Sequence, residues 1–577
     1  MAGSAARAED SARAGLVDPV PPGVEPPELD PKVVPDPAPW DPPKAPLSRT
    51  RRRRLATALA GAPGVALVAV VVGLAAAVFA SQHDLMMLYA DARSHLTIAR
   101  RLIDGPNHGI VQLGTVWLPV PHIVLIPFVA SRWLWHTGLA AIPVDIACLA
   151  IEALAIFSLV RTITRVRWAS WIAVTLLLTN PSVLYMHTTA LTEPVLFAAL
   201  LATTAMLAKW IAHAKPWSGG EIAVYCGLPA AVAVLSRYDG WAFVAAAGVF
   251  VFVAAQARWH QWHYSIHITR CFATPPVIAA GWWMWFNWVN FGDPLEFQRG
   301  RYSAQAQQEL LARTGQLPDM HDLPSSLHTY ASSMWQGAGW LLLGAAIGGM
   351  VLWAWRGHRS LPGLTPWLLV GVPFGFYVLS LYTGQAALRL DEANGQSMFN
   401  LRYGVEMVPG LAVFVALGAF VIAGRPKTQL GREWRVFVGL SAVVLIGLQA
   451  AAWWPEWREI PVVKEGLRQR AAGAGQYAAA EWMAQNSRNG RIAIDDSVNP
   501  NLPVIAADLD RVAAPFSGPR WRRTLRDLTL AEWLYVDTAN PQDEIARAVA
   551  RDPDFDDEFV LRHESGNARV YQRRSNP

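Results

Sequence analysis

The sequence predicts an all-α polytopic membrane bundle of about eleven transmembrane helices, with a small extracytoplasmic α/β domain at its C terminus. Hydrophobic residues make up 53% of the 577 and charged residues only 16%, and the apolar residues are bunched into runs near the length that crosses a hydrocarbon core. Basic residues fall in short clusters between those runs, as the positive-inside rule requires of cytoplasmic loops. After residue 455 the runs stop and short strand-like and helix-like segments take their place.

Residues 1–54 are rich in Pro, Ala and charge and contain no apolar core, so they read as a disordered cytoplasmic tail and not as a cleavable signal. Arg51 to Arg54 abut the first apolar run, which starts that run on the cytoplasmic side and puts the chain outside by His83. A membrane domain at 55–454 then holds spans at 56–80, 139–160, 169–186, 194–211, 221–236, 240–256, 271–289, 337–355, 364–382, 403–424 and 436–454. This threading leaves Arg161, Arg165, Arg258, Arg270, Arg359, Arg425 and Lys427, with other basic residues, on the inside. Val116 to Trp133 is apolar but contains Pro119, Pro121 and Pro127, and a span there would invert every later loop; it reads as interfacial or re-entrant on the outer side. Trp282, Trp283, Trp285, Phe286 and Trp288 read as an aromatic belt at the outer end of their span.

An odd number of spans leaves residues 455–577 outside. There the pattern predicts a helix over 475–486, strands over 491–495 and 533–536, a helix over 541–551, and a closing hairpin of 559–562 with 568–572.

The formal charge of +5 does not point to nucleic acid, because the basic residues are loop residues between spans. Cys148, Cys226 and Cys271 lie in or at the edge of spans without paired spacing, which argues against a disulfide framework or a zinc ribbon. His260, His263 and His267 have a metal-like spacing but sit in a cytoplasmic loop among Trp and Arg, and no metal is assigned to them. The chain has no Walker A loop, no Rossmann glycine fingerprint and no nucleophile elbow.

The informative residues are charges that the threading gathers on the outer face: Asp91, Arg93 and His95 after span one, Glu193 before span four, Arg237 and Asp239 between spans five and six, Arg299 and Arg301 after span seven, and Arg402 before span ten. Ionisable groups bordering a bilayer cost free energy unless paired or solvated, so their convergence from distant segments is a functional-site hypothesis. If a helix starts at Asp91, then Leu96, Ala99, Leu102 and Ile103 form an apolar stripe while Asp91 and His95 share another face. Each candidate also has a structural reading: a helix-start carboxylate for Asp91 and for Glu193 beside Pro194, an ion pair for Arg237 with Asp239, a snorkelling cation for Arg402. The loop of residues 290–336, with Glu296, Arg299, Arg301 and His321, is long enough to act as a lid.

Taken in order, the Asp91 motif, Gln112-Leu-Gly-Thr-Val-Trp-Leu-Pro-Val-Pro-His122, Thr192-Glu-Pro194, Arg237-Tyr-Asp-Gly-Trp241 and Leu401-Arg-Tyr-Gly404 resemble the membrane glycosyltransferases of the GT-C fold, in particular bacterial relatives of the aminoarabinose and protein-mannosyl transferases. The resemblance covers residues 55–454 and implies a polyprenyl-phosphate-linked sugar as donor and a catalytic aspartate in the first outer loop, a position that Asp91 matches. On that reading Asp91, Glu193 and Asp239 are candidate catalytic carboxylates, Arg237, Arg402 and Arg93 candidate phosphate-binding groups, and His95, His122, Tyr238 and Tyr403 supporting side chains. Many members carry a second acidic residue directly after the aspartate; here Ala92 follows, and a divalent metal is left without an assigned ligand set. The implied acceptor is a hydroxyl of an envelope glycan, a glycolipid or a protein at the outer face of a bacterial plasma membrane. Chemistry points to the same donor: nucleotide sugars are cytoplasmic, so a site facing outward needs its sugar delivered on a lipid phosphate. Two rival readings are a transporter or flippase for a lipid-linked or anionic substrate, and a non-catalytic scaffold.

Overall fold

The structure is a computed structural model, and it describes residues 60–300, 303–313, 315–357, 360–395, 397–424, 430–453, 456–498 and 508–574. The expected tail at 1–54, and Arg301, Arg359, Arg425 and Lys427, lie outside the described residues.

In hydrocarbon every backbone N–H and C=O must be paired within its own segment, so the apolar runs form helices. In chain order these are α1 (Ala62–Gln82), α2 (Ala90–Arg101), α3 (Val120–Val129), α4 (Leu139–Thr164), α5 (Arg167–Leu178), α6 (Glu193–Ala212), α7 (Gly219–Val234), α8 (Asp239–Trp259), α9 (Trp262–Phe291), the bent pair α10 (Leu323–Ala338) and α11 (Trp340–Arg356), α12 (Leu361–Tyr382), α13 (Leu401–Ala423), α14 (Leu430–Trp453), α15 (Pro461–Ala472) and α16 (Ala474–Asn486). Among the described residues, α1, α4, α6, α8, α12, α13 and α14 are long and apolar enough to cross a bilayer, which makes seven candidate spans, or eight if α10 and α11 count as one. The chain is a multi-pass membrane protein.

This count does not reach the expected eleven spans, because four of the expected runs fall outside it by length, composition or breakage. Helix α5 stops at Leu178 and a separate short helix, Pro181–Met186, completes that run, and α7 is likewise shorter than the seven, so neither run is counted with them. Helix α9 has the length but carries Pro275, Pro276 and several His, Trp and Asn residues. The run at 337–355 is broken at Gly339, where α10 and α11 meet at 110°. Val116 to Trp133 contributes only the short α3. The Trp282–Trp288 run divides between two faces of α9: Trp285 and Trp288 are exposed, whereas Trp283 and Phe286 are buried and stack at 5.2 Å against Leu113 and Leu118. Helical spacing puts residues three apart on one face, so half of the run is core.

Burial separates centre from rim. In α6, 78% of the apolar window is buried, against 11% in α14, which turns Val436, Phe437, Leu440, Val443 and Val444 outward. An apolar stripe of that size is what lipid contact requires and what water would not tolerate. Inside the bundle, Thr203 and Thr204 donate back to the carbonyls of Ala199 and Leu200, both at 2.8 Å, so their hydroxyls cost little. His187 Nδ1 donates to the Val183 carbonyl at 2.8 Å, which leaves one shared proton between its Nε2 and the buried Glu152 carboxyl 2.8 Å away.

Helices α11 and α13 cross at glycines. A methyl on Gly349 would overlap the Phe414 carbonyl, and one on Gly418 would lie 2.6 Å from the Gly349 Cα. Gly349→Ala should therefore lower the thermal midpoint of the purified protein in detergent, by an overpacking cost of about 1–3 kcal/mol. Gly344→Ala, on the same helix with open space around it, is the control, and equal midpoints for the two variants would disprove the close crossing.

The C-terminal region holds a five-stranded sheet in the order β2-β1-β3-β5-β4, from β1 (Ile492–Ala493), β2 (Val512–Ala513), β3 (Trp533–Asp537), β4 (Phe559–Ser565) and β5 (Ala568–Arg573). Strand β1 pairs parallel with β2 and β3, and β5 pairs antiparallel with β3 and β4. The expected hairpin and the helix at 475–486 are present as β4–β5 and α16, the expected helix over 541–551 is Glu544–Val549, and β2 was not foreseen. This region grips the segment around α2: Asn107 donates to the Ser517 carbonyl at 2.7 Å, Gln112 to that of Phe516 at 3.1 Å, and Arg101 pairs with Asp496 at 3.3 Å.

Candidate active site

Helices α2, α6 and α8 each begin with a carboxylate in the first turn, Asp91, Glu193 and Asp239, where the helix dipole favours an anion. Pro194 opens α6 with a backbone angle already set for helix. Gly240 lets α8 start against the end of α7, because a Cβ there would overlap the Ala233 backbone. The fourth contributor is the 3-10 turn Leu401–Met407 at the head of α13. Before it, Asn400 adopts a left-handed conformation (φ 62), one that Asn tolerates. The buried Glu465 of α15 accepts from the backbone N–H groups of Asn400 at 2.8 Å and Leu401 at 3.0 Å, which holds the turn in place.

These elements bring Asp91, Glu193, Arg237, Asp239 and Arg402 into one connected cluster. Arg237 donates to Glu193 at 2.9 Å, Thr192 at 3.1 Å, Asp239 at 3.0 Å and the Tyr377 hydroxyl at 3.4 Å. Arg402 donates to Asp91 and, at 3.2 Å, to Asn400. Its Nε lies 3.3 Å from Glu193, an ion pair whose angle makes no hydrogen bond. Glu193 thus bridges the two guanidiniums. Below Arg237 the rings of Tyr403, Tyr377 and Tyr330 stack in turn, at 4.8 and 5.2 Å between centroids.

Burial pushes the Asp91 carboxyl up, and the guanidinium of Arg402, with His95 and Arg237, more than offsets this, so its pKa lies below the ordinary 3.8. Asp91 is also the accessible member: its side chain is 36% exposed, against 3% for Glu193 and Asp239. Burial lowers Arg237, and Asp239 and Glu193 beside it outweigh that and keep it cationic.

The other expected site residues lie elsewhere. Arg93 is not brought into the cluster: its guanidinium is held by the Met87 and Leu88 carbonyls and by the Tyr477 hydroxyl and ring. Residues two apart on a helix project about 200° apart, so Arg93 leaves α2 on the side opposite Asp91. His95 is on the Asp91 face but shares its hydrogen bond with His122 of α3 at 2.9 Å. Burial holds His95 down at about 4, against the pull of Asp91 and Glu193, and holds His122 low as well, so the pair is neutral at neutral pH. Tyr238 turns away from Arg237, donates to the Val116 carbonyl at 3.0 Å and stacks on Phe297 at 5.2 Å. That stack is one contact between the expected lid loop and the site's edge, and Tyr330 beneath Arg237 is another. Asp91, Glu193 and Asp239 are each turned onto a guanidinium, and among the described residues no three of His, Cys, Asp and Glu are arranged to hold a metal ion.

Sequence reasoning missed Tyr377, Glu406 and Glu465. The Tyr377 hydroxyl donates to Asp239 at 2.6 Å and lies 3.2 Å from Glu406. A hydroxyl has one proton, so Asp239 and Glu406 compete for the one that Tyr377 donates, and the shorter contact is with Asp239. The signal of Glu406 was available: a carboxyl inside an apolar run, one turn beyond Arg402.

No protein-family model and no curated protein sequence matches the chain. Solved structures do. ArnT from Cupriavidus metallidurans bound to undecaprenyl phosphate superposes with a TM-score of 0.53 at 13% identity, over 88% of this chain and 98% of that one. The apo state of the same protein gives 0.50 at 14% identity, over 87% and 97%. The chain has the GT-C fold. At these identities the likeness is one of fold, and it extends through nearly the whole of the ArnT chain. In this GT-C chain the cluster from Asp91 to Arg402 is built where α2, α6, α8 and α13 all begin.

Proposed function

We propose that the chain is an integral membrane glycosyltransferase that moves a sugar from a polyprenyl-phosphate donor to an acceptor hydroxyl at the outer face of the membrane. The observation that carries this reading is the cluster itself: one accessible carboxylate, Asp91, set against two guanidiniums that the buried Glu193 ties together. The undecaprenyl phosphate in the ArnT structure supports a lipid phosphate as the donor's carrier.

The acceptor oxygen attacks the anomeric carbon as Asp91 takes its proton, and the bond from that carbon to the phosphate oxygen breaks with its electron pair staying on phosphate. Polyprenyl phosphate leaves, its growing charge met by Arg402 and Arg237. A single displacement inverts the anomeric centre. Glu193 and Asp239 orient the guanidiniums, the Tyr330–Tyr377–Tyr403 stack supports Arg237 from below, and Arg93 anchors the loop before α2 to Tyr477. The cytoplasmic N terminus and the outer placement of both the site and the C-terminal region rest on the positive-inside pattern. The C-terminal region, which grips the chain beside α2, is proposed to contact the acceptor.

Because Asp91 is below 3.8 in the ligand-free protein, it is ionised throughout the neutral range. The acid limb that it imposes on kcat/KM for the donor should therefore lie below about pH 4, leaving the profile flat from pH 7 to about 5. A limb near pH 6 would assign the base to another group. Mass spectrometry of lipid-linked sugars and envelope glycans in a deletion strain tests the function: donor should accumulate and one glycosylated product vanish. Unchanged levels of both would reject it.

A further inference from the structure

The two arginines of the cluster are not equivalent. Arg237 is engaged through Nε and both terminal nitrogens by Thr192, Glu193, Asp239 and Tyr377, and the two carboxylates among these are almost fully buried. Pulling either off would strand a buried charge, which costs several kcal/mol by general experience. Arg402 differs: of its two carboxylate partners Glu193 is buried, but Asp91 is 36% exposed and can be rehydrated when it lets go.

We infer that in the ligand-free protein the Asp91 carboxylate occupies the place on Arg402 that the donor phosphate takes, so that donor binding displaces Asp91 and frees it to act as base. This rests on the glycosyl-transfer reading above. A phosphodiester brings one negative charge and a pair of oxygens, so the exchange replaces one oxyanion by another on the same guanidinium. No proton or covalent bond changes hands in this step. The ion pair with Arg402 is also what keeps Asp91 a weak base; losing it strengthens Asp91 at the moment the sugar is in place. The enzyme then binds donor before acceptor, and its base is quenched while the site is empty.

The test is a titration of undecaprenyl phosphate into the purified full-length protein in detergent, for wild type, Asp91→Asn and Asp91→Glu. Removing the competing charge should tighten lipid-phosphate binding about ten- to a hundredfold in Asp91→Asn. Asp91→Glu retains the competitor and should stay within about twofold of wild type. Equal affinity for all three, or weaker binding by Asp91→Asn with Asp91→Glu normal, overturns the inference while leaving the lipid-phosphate donor in place. If the wild type and Asp91→Asn, both folded by thermal melt, fail to bind, the donor assignment itself falls.

Discussion

Asp91→Asn is expected to reduce glycosyl transfer by about 100-fold or more at unchanged abundance in the membrane. Asparagine keeps the size of the side chain and can still accept from Arg402, so the cluster's shape survives. What it lacks is the capacity to take the acceptor's proton. Transfer measured in membranes matched for protein level checks this, and near-normal turnover would remove Asp91 from the chemistry. Combined with tighter donor binding, the variant should show a lower KM for donor together with a much lower kcat, a pairing that misfolding does not produce.

Glu193→Ala should have the largest effect on stability. Glu193 meets Arg237 at 2.9 Å and Arg402 at 3.3 Å from a nearly fully buried position. Without it two guanidiniums face one another inside the protein with one carboxylate fewer to balance them, and breaking a buried pair in this way costs about 3–5 kcal/mol. The thermal midpoint in detergent should drop well below those of Asp91→Asn and of wild type. An unaltered midpoint would show that the two guanidiniums do not depend on the bridge.

What could be read in advance follows from what each residue costs. Asp91, Glu193, Arg237, Asp239 and Arg402 stand out because a charge beside an apolar run is expensive and must have a reason. The structure brings those five together. Arg93 and Tyr238 are near them along the chain but reach other partners: Arg93 leaves α2 on the opposite side from Asp91, and Tyr238, in the turn before α8, donates to the Val116 carbonyl. Glu406 is marked by the same cost, as a carboxyl inside an otherwise apolar run. Glu465 had no readable signal: its partners are backbone N–H groups of residues more than sixty positions away. The number of helices was legible to the extent that apolar runs measure length; the 110° break at Gly339 and the short α5 and α7 depend on packing partners that a hydropathy pattern does not contain.

Glu465 and Tyr477 also set a timetable for biosynthesis. The turn that presents Arg402 is completed by a carboxylate on α15, and the loop ahead of α2 by a phenol on α16. Both are translated after every span has been synthesised. A nascent chain halted at the end of α14 would hold all five charged residues of the cluster and lack the two latches that seat them, so the cluster is complete only once the final portion has been made.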